Sequence, residues 1–466
     1  MKLYWEAEKF IVNNPRQGSL NTRIFEAARA KKVTSDPRHL YALVISTLQY
    51  KPFIMEILKK SKMLKVETKV KISETMGMLL VHDLLFSKSG RIQSGKHPIK
   101  DAVLRHKTRL QAELTKLKLK HKVRDLSELI EEDDTPVRWF RANLCKTTRE
   151  KILKEFGHLD QVSSFEELEV GKIYHDEYIP NLFGVHPKEK IVSSDAYLNG
   201  RIIIQDRASC FPAHILHPSP GDKVIDACAA PGNKTTHLAS YLNNIQGSIT
   251  AFEKNESRSK TLKMMSEKAG ALGCITVNVG DFTASNPEDF PDVTGFVVDP
   301  SCSGSGIFGR AFDEDSKTDD AVDEERLAKL SGFQFTIVRH AMSFPSAKRL
   351  VYSTCSIHAQ ENERVVVDLL NDPQVKSRGW RLCSRQKIIP DWKRRGFVEE
   401  FSSFEDPEAM AGGCVRSLPK VDGGIGFFAA AFERTDESIS QVSVPLEGSE
   451  VSKEDEVSEE WTGFSD

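Results

Sequence analysis

The chain has 466 residues, of which 39% are hydrophobic and 28% are charged, and its formal net charge is −2. One hydrophobic core usually stops growing near about 250 to 300 residues, so this length predicts two or three domains. The composition is that of a soluble globular protein, which excludes a fibre and a fully disordered chain.

The N-terminus and the cysteines bear on location and redox state. The first ten residues, MKLYWEAEKF, carry acidic residues where a signal peptide needs a basic end and an apolar core. No uninterrupted apolar run approaches the roughly 18 residues of a membrane span, so we expect an intracellular protein without a membrane segment. The eight cysteines include no CxxC pair and no cluster with histidine at zinc spacing. Neither a structural metal nor a disulfide framework is expected.

The small net charge hides a strong asymmetry along the chain. Residues 1–130 hold 27 Lys and Arg against 12 Asp and Glu, a net charge of +15, which leaves −17 for the remaining residues. A basic part joined to an acidic part suggests a module that binds a polyanion. We therefore predict a basic, polyanion-binding domain over residues 1–126.

This first segment is predicted to be helical. Apolar residues recur at helical spacing over roughly its whole length, with little Gly or Pro between them. Residues 88–124 contain twelve Lys and Arg but only two acids, and Val103, Leu110, Leu114 and Leu117 are spaced as on one face of an amphipathic helix. Such a run is often no more than a solvated helix face. The long excess of one sign favours a surface that contacts phosphates.

A short mixed segment is predicted over residues 127–193. It contains Arg138, Trp139, Phe140 and Arg141, which place guanidinium and aromatic groups together, as in proteins that stack on unpaired bases. The alternative is that Trp139 and Phe140 are strand residues, one of them in the core.

From residue 194 to 433, short β-branched runs alternate with helical patterns, which predicts a doubly wound parallel sheet. The predicted strands are Lys223–Ala227, Ile249–Glu253, Cys274–Asn278, Phe296–Asp299 and Arg349–Ser353. The predicted helices between them include Ser257–Lys268 and Leu327–Met342. An apolar run at 426–432 predicts a closing strand, antiparallel and at the edge of the sheet.

Two acidic, polar stretches do not fit this alternation. Residues 310–325 are predicted to form a mobile insertion within the folded region. Residues 434–466 are rich in acidic residues and serine, which predicts a disordered tail.

The turn after the first predicted strand, DACAAPGNKT, predicts a ligand without phosphates. It lacks the three glycines of a dinucleotide site and the Gly-Lys-Ser/Thr of a P-loop. An ordinary strand-to-helix turn would not need so many small residues. Glu253 ends the second strand, where a carboxylate typically receives two ribose hydroxyls, and Asp281 follows the third, where it could accept from an adenine amine. Each acid alone could be a surface residue, but their order along the sheet points to S-adenosyl-L-methionine.

Two cysteines follow the fourth and fifth predicted strands. Cys302 lies in DPSCSGSG, which begins at Asp299, and Cys355 lies in STCS. If these two strands are neighbours in the sheet, they lie about 4.8 Å apart, and both thiols and Asp299 then border one pocket. A single buried cysteine is usually an inert small hydrophobe. Two at adjacent strand exits are harder to explain in that way.

A thiol suits one particular methyl transfer. Carbon 5 of cytosine is a weak nucleophile until a thiolate adds to carbon 6 and converts the ring to an enamine. The addition needs a carboxyl group hydrogen-bonded to N3, and Asp299 is available for that contact. Afterwards the carbon 5 proton must leave and the thioether must break, which gives a second thiol a task.

These residues together resemble one known family. DACAAPGNKT, NVGD, DPSCSG and YSTCS followed by ENE look like the Sun-family RNA (cytosine-5)-methyltransferases. QDRASC, PVRWFRAN, CVRSLPK and GFFAAAFER extend the likeness over residues 130–433. The basic N-terminus and the DPSCSGSG form most resemble the fifth eukaryotic member, a large-subunit rRNA methyltransferase.

The resemblance implies a fold and a set of roles. The fold class is α/β: a Rossmann-like class I methyltransferase domain at 194–433, a small RNA-recognition-like α+β domain at 127–193, and an all-α N-terminal domain. It implies that Cys355 is the nucleophile, that Cys302 assists product release, and that Asp299 borders both cofactor and base. The implied cofactor-binding residues are Cys228, Ala229, Ala230, Pro231, Gly232, Asn233, Lys234, Glu253, Arg258, Asp281 and Asp299.

The sequence departs from the family pattern in three places. The proline before the first cysteine is one residue early, at Pro300, with Ser301 following it. Asn233 stands where a second glycine is common, and Glu253 where aspartate is common. The early proline leaves the spacing from Asp299 to Cys302 unchanged.

The predicted function is S-adenosyl-L-methionine-dependent methylation of a cytosine in large-subunit ribosomal RNA, on a base that is unpaired or flipped. The resemblance further implies a nuclear, nucleolar location and pre-ribosomal particles as candidate partners, and we expect a monomer. One rival is a methyltransferase that modifies another atom, such as a purine nitrogen. A second rival is a ribosome-assembly protein that keeps the fold without turnover.

Overall fold

The computed structural model describes residues 1–12, 20–67, 69–129, 135–307 and 320–435. These residues form two compact units, with the boundary near residue 135. Among them, no helix is both long enough and apolar enough to cross a membrane.

The first unit is helical throughout its described residues, as predicted. Its helices are α1 (Lys2–Val12), α2 (Leu20–Arg29), α3 (Pro37–Gln49), α4 (Lys51–Ser61), α5 (Met63–Val66), α6 (Glu74–Leu85), α7 (Pro98–Arg105) and α8 (Lys107–His121). Helix α6 is the centre of the core, because every residue from Met76 to Leu84 is buried. A side-chain cap starts this helix, since the Ser73 hydroxyl accepts a hydrogen bond from the Met76 N–H.

The amphipathic stretch at 103–117 is two helices and not one. Helix α7 ends at Arg105 and α8 begins at Lys107, so His106 separates them. Val103, Leu110 and Leu117 are nevertheless all buried in the same core. The periodicity therefore identified the buried face correctly and missed the break.

The second unit begins with a small α+β sheet. Its strands are β1 (Arg138–Ala142), β2 (Asp160–Val162), β3 (Lys172–His175), β4 (Leu182–Val185) and β5 (Ile202–Ile204), in the order β2-β3-β4-β1-β5. Helices α9 (Arg149–Glu155) and α10 (Asp195–Leu198) complete the βαββαβ pattern of RNA-recognition-like folds, to which β2 is added. The predicted limit at residue 193 falls short of β5, which belongs to this sheet.

The stacking role considered for the aromatic residues of β1 is wrong. Trp139 is 2% exposed and Phe140 is fully buried, so neither ring can receive a base. Trp139 instead donates from Nε1 to the Gly423 carbonyl oxygen, 2.8 Å away. Arg141 is also buried and donates to the Thr236 hydroxyl at 2.8 Å. The alternative, that Trp139 and Phe140 are strand residues with one in the core, is confirmed for the strand, and both side chains are in fact buried.

The rest of the unit is a doubly wound sheet. Its strands are β6 (Lys223–Asp226), β7 (Ile249–Glu253), β8 (Ile275–Val279), β9 (Val293–Val298), β10 (Arg349–Thr354), β11 (Trp380–Leu382), β12 (Cys414–Ser417) and β13 (Phe427–Arg434). The helices are α11 (Phe211–Leu216), α12 (Asn233–Tyr241), α13 (Glu256–Lys268), α14 (Asp320–Ala341), α15 (Glu363–Asn371), α16 (Pro373–Ser377) and α17 (Pro407–Gly412). The order β11-β13-β10-β9-β6-β7-β8, with β6 to β10 parallel, confirms the predicted Rossmann-like fold.

The closing strand β13 is antiparallel to β10, as predicted, but it is not at the edge. Strands β11 and β12 both pair with it, at its end and at its beginning respectively. Ala429, Ala430 and Ala431 are fully buried there. Small residues fit a strand that is covered on both faces and on both sides, which is why this run is apolar throughout.

The two acidic stretches lie mostly outside the described residues. The predicted insertion is undescribed up to residue 319, and α14 begins at Asp320, so its last six residues belong to a helix. The predicted tail is undescribed from residue 436 onward, whereas Arg434 is the last residue of β13.

A polar aromatic cluster joins α11 to α12. His214 Nδ1 lies 2.8 Å from the Tyr241 hydroxyl, and the rings of His237 and Tyr241 are 5.2 Å apart. Burial, with a smaller contribution from His217, lowers the pKa of His214 to about 4. The folded protein therefore stabilises the neutral form of the His214 imidazole relative to the protonated form.

We expect the replacement His214→Gln to reduce the loss of unfolding free energy that occurs as the pH falls from 7 to 5. A histidine whose folded pKa is depressed contributes stability above its unfolded pKa, about 6.5, and that stability is lost as the pH falls towards 4. The loss attributable to His214 is at most about 3 kcal/mol. Urea unfolding at pH 7 and pH 5 measures it. The exposed His39→Gln is the control, and equal pH dependence in the wild type and His214→Gln would contradict the assignment.

Candidate active site

The candidate site lies where the strand order reverses. Strand β6 has β7 on one side and β9 on the other, and β10 follows β9, all of them parallel. The carboxyl ends of β6, β9 and β10 therefore lie side by side, which is where open α/β sheets bind ligands. The turn 227–232, the loop 299–306 and the segment 355–358 leave the sheet at these ends.

The turn after β6 is shaped by glycine. Gly232 has a φ of +114°, and a Cβ built on it would lie 3.0 Å from Leu262 Cδ1. Both the backbone conformation and the close approach to α13 require a residue without a side chain. The turn is anchored to neighbouring strands, since the Ala227 N–H donates to the Val297 oxygen and the Ala229 N–H to the Phe252 oxygen, each at 2.9 Å.

Lys234 and Asp299 form an ion pair at the centre of the site. Lys234 Nζ, in the first turn of α12, lies 2.7 Å from Asp299 Oδ2, at the end of β9. The Ser353 hydroxyl in β10 donates to Asp299 Oδ1 at 2.6 Å. Burial lowers the pKa of Lys234, but Asp299 and then Cys355 raise it, and the net pKa is raised. The ammonium form is thus retained beside the thiols.

The two predicted thiols meet. Cys302 Sγ and Cys355 Sγ lie 3.1 Å apart, and both side chains are half-buried. The hydrogen bond with Cys355, followed by burial, raises the pKa of Cys302 well above its usual range. Cys355 also packs against the core cluster that contains Ala229 and Ala230, two residues of the turn after β6. The structure therefore brings both cysteines to the same place as Asp299 and Lys234.

Gly306 and Gly426 bring two backbone segments into close contact next to Cys355. The Gly306 N–H donates to the Cys355 carbonyl oxygen at 3.0 Å, and the Gly306 oxygen accepts from the Gly426 N–H at 2.8 Å. A Cβ built on Gly306 would lie 2.2 Å from the Gly426 oxygen. The loop after β9 and the segment before β13 can approach this closely only because neither residue has a side chain.

The remaining predicted cofactor residues surround the same turn. Glu253 is 5% exposed, and its Oε1 accepts from the Asn255 N–H at 2.8 Å. Arg258 donates from Nη2 to the Ala230 oxygen at 2.9 Å and so fastens the turn to α13. Asp281 accepts from the Thr283 N–H and hydroxyl, and Lys254 Nζ lies 3.2 Å from its other oxygen.

The donor and acceptor set of this turn fits a nucleoside-type methyl donor. Asn233 Oδ1 is buried and has no hydrogen-bond partner within the described part of the chain. Glu253 keeps acceptor capacity at the end of β7, because a carboxylate has about four lone-pair sites. The unpaired Asn233 oxygen and the remaining acceptor capacity of Glu253 suit the hydroxyl and ammonium donors of S-adenosyl-L-methionine.

Three buried side chains around the thiols were not predicted as site residues. They are Gln334 in the middle of α14 and the neighbouring Glu361 and Asn362, which are all fully buried. The Ser303 N–H donates to Glu361 Oε1 at 2.8 Å. The ENE letters carried a signal for the last two, whereas nothing in the sequence around Gln334 sets it apart from other helical residues.

Comparison with known proteins identifies the family. A family model described as "16S rRNA methyltransferase RsmB/F" matches residues 213–433. A second, described as "NOL1/NOP2/Sun domain family member 5, N-terminal domain", matches residues 38–130.

Similar curated proteins cover most of the chain. The 25S rRNA (cytosine-C(5))-methyltransferase rcm1 of Schizosaccharomyces pombe is 42% identical over 89% of this chain and 87% of its own length. A 28S rRNA (cytosine-C(5))-methyltransferase of Mus musculus is 35% identical over 90% of this chain and 88% of its own. The chain therefore belongs to the Sun family of RNA (cytosine-5)-methyltransferases, among its NSUN5-type members, which confirms the predicted family and enzyme class.

Solved structures agree on the fold. A methyltransferase homologue from Pyrococcus horikoshii has a TM-score of 0.51 at 23% identity and covers 65% of this chain and 88% of its own. The protein PH0851 has a TM-score of 0.59 at 22% identity and covers 93% and 98%. At these identities the likeness establishes the fold.

We expect Gly306→Ala to destabilise the protein by about 1 to 3 kcal/mol, because the added methyl group must push the Gly426 backbone away. The matched control is Gly273→Ala, since a Cβ at Gly273 meets nothing within 4 Å. Thermal and urea unfolding of both variants measure the difference. Equal stability of the two variants would show that the close approach of Gly306 and Gly426 does not require glycine at position 306.

Proposed function

We propose that this protein methylates carbon 5 of a cytosine in large-subunit ribosomal RNA, through a covalent bond between Cys355 Sγ and carbon 6 of the base. The observation that carries the proposal is the pair of thiols, 3.1 Å apart, beside the Lys234–Asp299 ion pair. Membership of the family supports the reaction class. Methylation of a purine nitrogen would leave the two thiols without a task.

Cys355 is the proposed nucleophile because Lys234 lies close enough to act on it electrostatically. The pKa of Lys234 is raised by Asp299 and, to a smaller extent, by Cys355. A fixed ammonium group near a thiol stabilises the thiolate, which is the reactive form. The thiolate adds to carbon 6, and the electron pair of the carbon 5 to carbon 6 double bond becomes available to take the methyl group.

Asp299 and Cys302 have the supporting roles in this proposal. Asp299, held by Lys234 and Ser353, borders the N3 edge of the base, where the Lys234 ammonium group beside it offsets the negative charge that develops on the ring when the thiolate adds. Release requires that a water molecule take the carbon 5 proton, that the bonding pair left behind restore the double bond, and that the sulfur–carbon bond return its pair to Cys355. The raised pKa of Cys302 keeps it a neutral S–H group that can donate a hydrogen bond to the departing thiolate.

S-adenosyl-L-methionine supplies the methyl group in this proposal. The residues that would hold it are those of the turn from Cys228 to Lys234, with Glu253 for the ribose hydroxyls, Arg258 behind the turn, and Asp281 for the adenine. The two acids lie at the ends of β7 and just beyond β8, in the order that a nucleoside extended along the sheet edge requires.

The basic helical unit is proposed to bind the RNA backbone. Several basic residues of α7 and α8 pair with acids of the same unit, such as Arg105 with Glu67 and Lys120 with Glu56. Other basic residues of the 88–124 run are exposed and have no ion-pair partner in the described ranges: Lys88, Arg91, Lys96, Lys107, Arg109, Lys122 and Arg124. Exposed cations without ion-pair partners favour phosphate contacts and a salt-dependent affinity.

The remaining assignments follow from this substrate. We propose that the segment with the βαββαβ sheet helps to place the RNA, and that the protein acts as a monomer in the nucleolus on pre-ribosomal particles. Ribosomal RNA of the large subunit is made and modified there, which places substrate and enzyme together.

We expect Cys355→Ala to abolish methyl transfer while the binding of S-adenosyl-L-methionine survives, because the thiol attacks the base and does not hold the cofactor. Isothermal titration calorimetry and bisulfite sequencing of large-subunit rRNA measure the two properties. The control is Cys145→Ala, which changes a half-buried cysteine beside Ser240. Full methylation by Cys355→Ala would refute the covalent mechanism.

We expect Cys302→Ala to methylate its RNA but to release it slowly, so that a protein–RNA adduct accumulates on denaturing gels. The departing Cys355 thiolate loses its S–H donor in this variant. Rapid turnover without adduct would remove Cys302 from the mechanism.

RNA that carries 5-fluorocytosine distinguishes the rival functions. Fluorine cannot leave as a proton does, so the wild type should remain covalently bound, whereas a purine methyltransferase or a binding protein without turnover should form no adduct.

A further inference from the structure

The backbone on both sides of each thiol is held by buried side chains. Cys302 lies in the loop 301–304, which has no regular secondary structure, and Cys355 lies just beyond the last residue of β10. Neither cysteine lies within a helix or a strand. The distance between the two thiols therefore depends on the hydrogen bonds made by the residues next to each cysteine.

The loop of Cys302 is held by Glu361 and Gln334. On one side of the cysteine, the Ser303 N–H donates to Glu361 Oε1 at 2.8 Å. On the other side, Gln334 Nε2 donates to the Ser301 carbonyl oxygen at 3.1 Å, and it also donates to Glu361 Oε1 at 2.9 Å. One carboxylate and one amide thus hold both peptide groups that flank Cys302.

The flanks of Cys355 are held by the next residue in the chain, Asn362. The Thr354 hydroxyl donates to Asn362 Oδ1 at 2.5 Å, and Asn362 Nδ2 donates to the Ser356 carbonyl oxygen at 3.0 Å. Asn362 thus contacts one residue on each side of Cys355, and the Thr354 hydroxyl that it holds accepts in turn from the Ser356 N–H at 3.2 Å.

These holding groups are themselves fixed. Glu361, Asn362 and Gln334 are fully buried, and the Tyr352 hydroxyl donates to the Glu361 carbonyl oxygen and, at 3.2 Å, to Gln334 Oε1. Glu361 Oε2 is buried without a hydrogen-bond partner among the described residues. Burying a carboxylate with an unpaired oxygen lowers the stability of the folded protein. We therefore attribute to Glu361 a role in positioning the loop of Cys302 and not a role in stability.

We propose that the adjacent residues Glu361 and Asn362 are positioning residues that set the distance between the thiols, Glu361 through the loop of Cys302 and Asn362 through the flanks of Cys355. The inference rests on the proposed function, since it assigns the two residues to its two covalent steps. Glu361 controls release of the methylated RNA, and Asn362 controls formation of the adduct.

The test measures the two steps separately on the full-length protein. The rate of adduct formation is measured with large-subunit rRNA transcribed with 5-fluorocytidine. Release is measured with ordinary large-subunit rRNA, as the adduct remaining on denaturing gels during turnover. A shift of about 1 Å in a reacting group can cost about a hundred-fold in rate, so effects of ten-fold or more are expected.

Glu361→Ala is expected to form the adduct at close to the wild-type rate and to release it at least ten-fold more slowly. Gln334→Met, which loses the contact with Ser301, is an independent second variant for the same step. Glu361→Gln keeps an oxygen acceptor for the Ser303 N–H and should restore most of the release rate.

Asn362→Ala is expected to show the opposite pattern, with adduct formation at least ten-fold slower and no accumulation. The matched control is Asn143→Ala, because Asn143 is also a buried amide and donates to the Gly200 and Ala269 carbonyl oxygens. That control should lose stability without favouring either step.

The outcomes separate the two levels of proposal. If the wild type forms no adduct with the fluorinated RNA, the proposed function fails. If the wild type forms it, and Glu361→Ala and Asn362→Ala slow both steps equally or resemble Asn143→Ala, the positioning roles are overturned. Melting temperature and calorimetric binding of S-adenosyl-L-methionine confirm that each variant is folded.

Discussion

The parallel pairing of β6, β9 and β10 is the constraint on which the rest of this protein depends. Backbone hydrogen bonds fix these three strands side by side, so whatever follows them must emerge at one edge. Lys234, Asp299 and Cys355 come from segments more than fifty residues apart and still meet there.

Around that edge, a short stretch after β10 organises three further segments. Glu361 holds the loop of Cys302 and Asn362 holds the flanks of Cys355. Glu363 forms a buried ion pair with Arg416, Nε to Oε1 at 2.6 Å, and Arg416 donates to the Ile357 oxygen at 3.0 Å. Buried charges of this kind add little net stability, but removing one partner is costly, so they favour a single geometry over alternatives.

The βαββαβ sheet contributes to the same region from a distance in sequence. Arg141 in β1 is buried and donates from Nη2 to the Asn233 oxygen at 3.2 Å and to the Thr236 hydroxyl. Burial lowers the pKa of Arg141 to about 10, which still leaves the guanidinium charged at neutral pH. The first turn of α12, which carries Lys234, is thereby tied to the preceding sheet.

The sequence by itself determined the elements and most of the candidate site. Periodicity located the helices of the first unit and the strands β6 to β10, and local motifs named Cys302, Cys355 and Asp299, because both signals act over a few residues. The interior place of β13, the burial of Trp139 and the break at His106 were decided by packing against distant segments. The hydrogen bonds from Gln334 and Glu361 to the loop of Cys302 were also decided by the tertiary structure. Hydrogen bonds between residues about thirty to sixty positions apart leave no local pattern in the sequence.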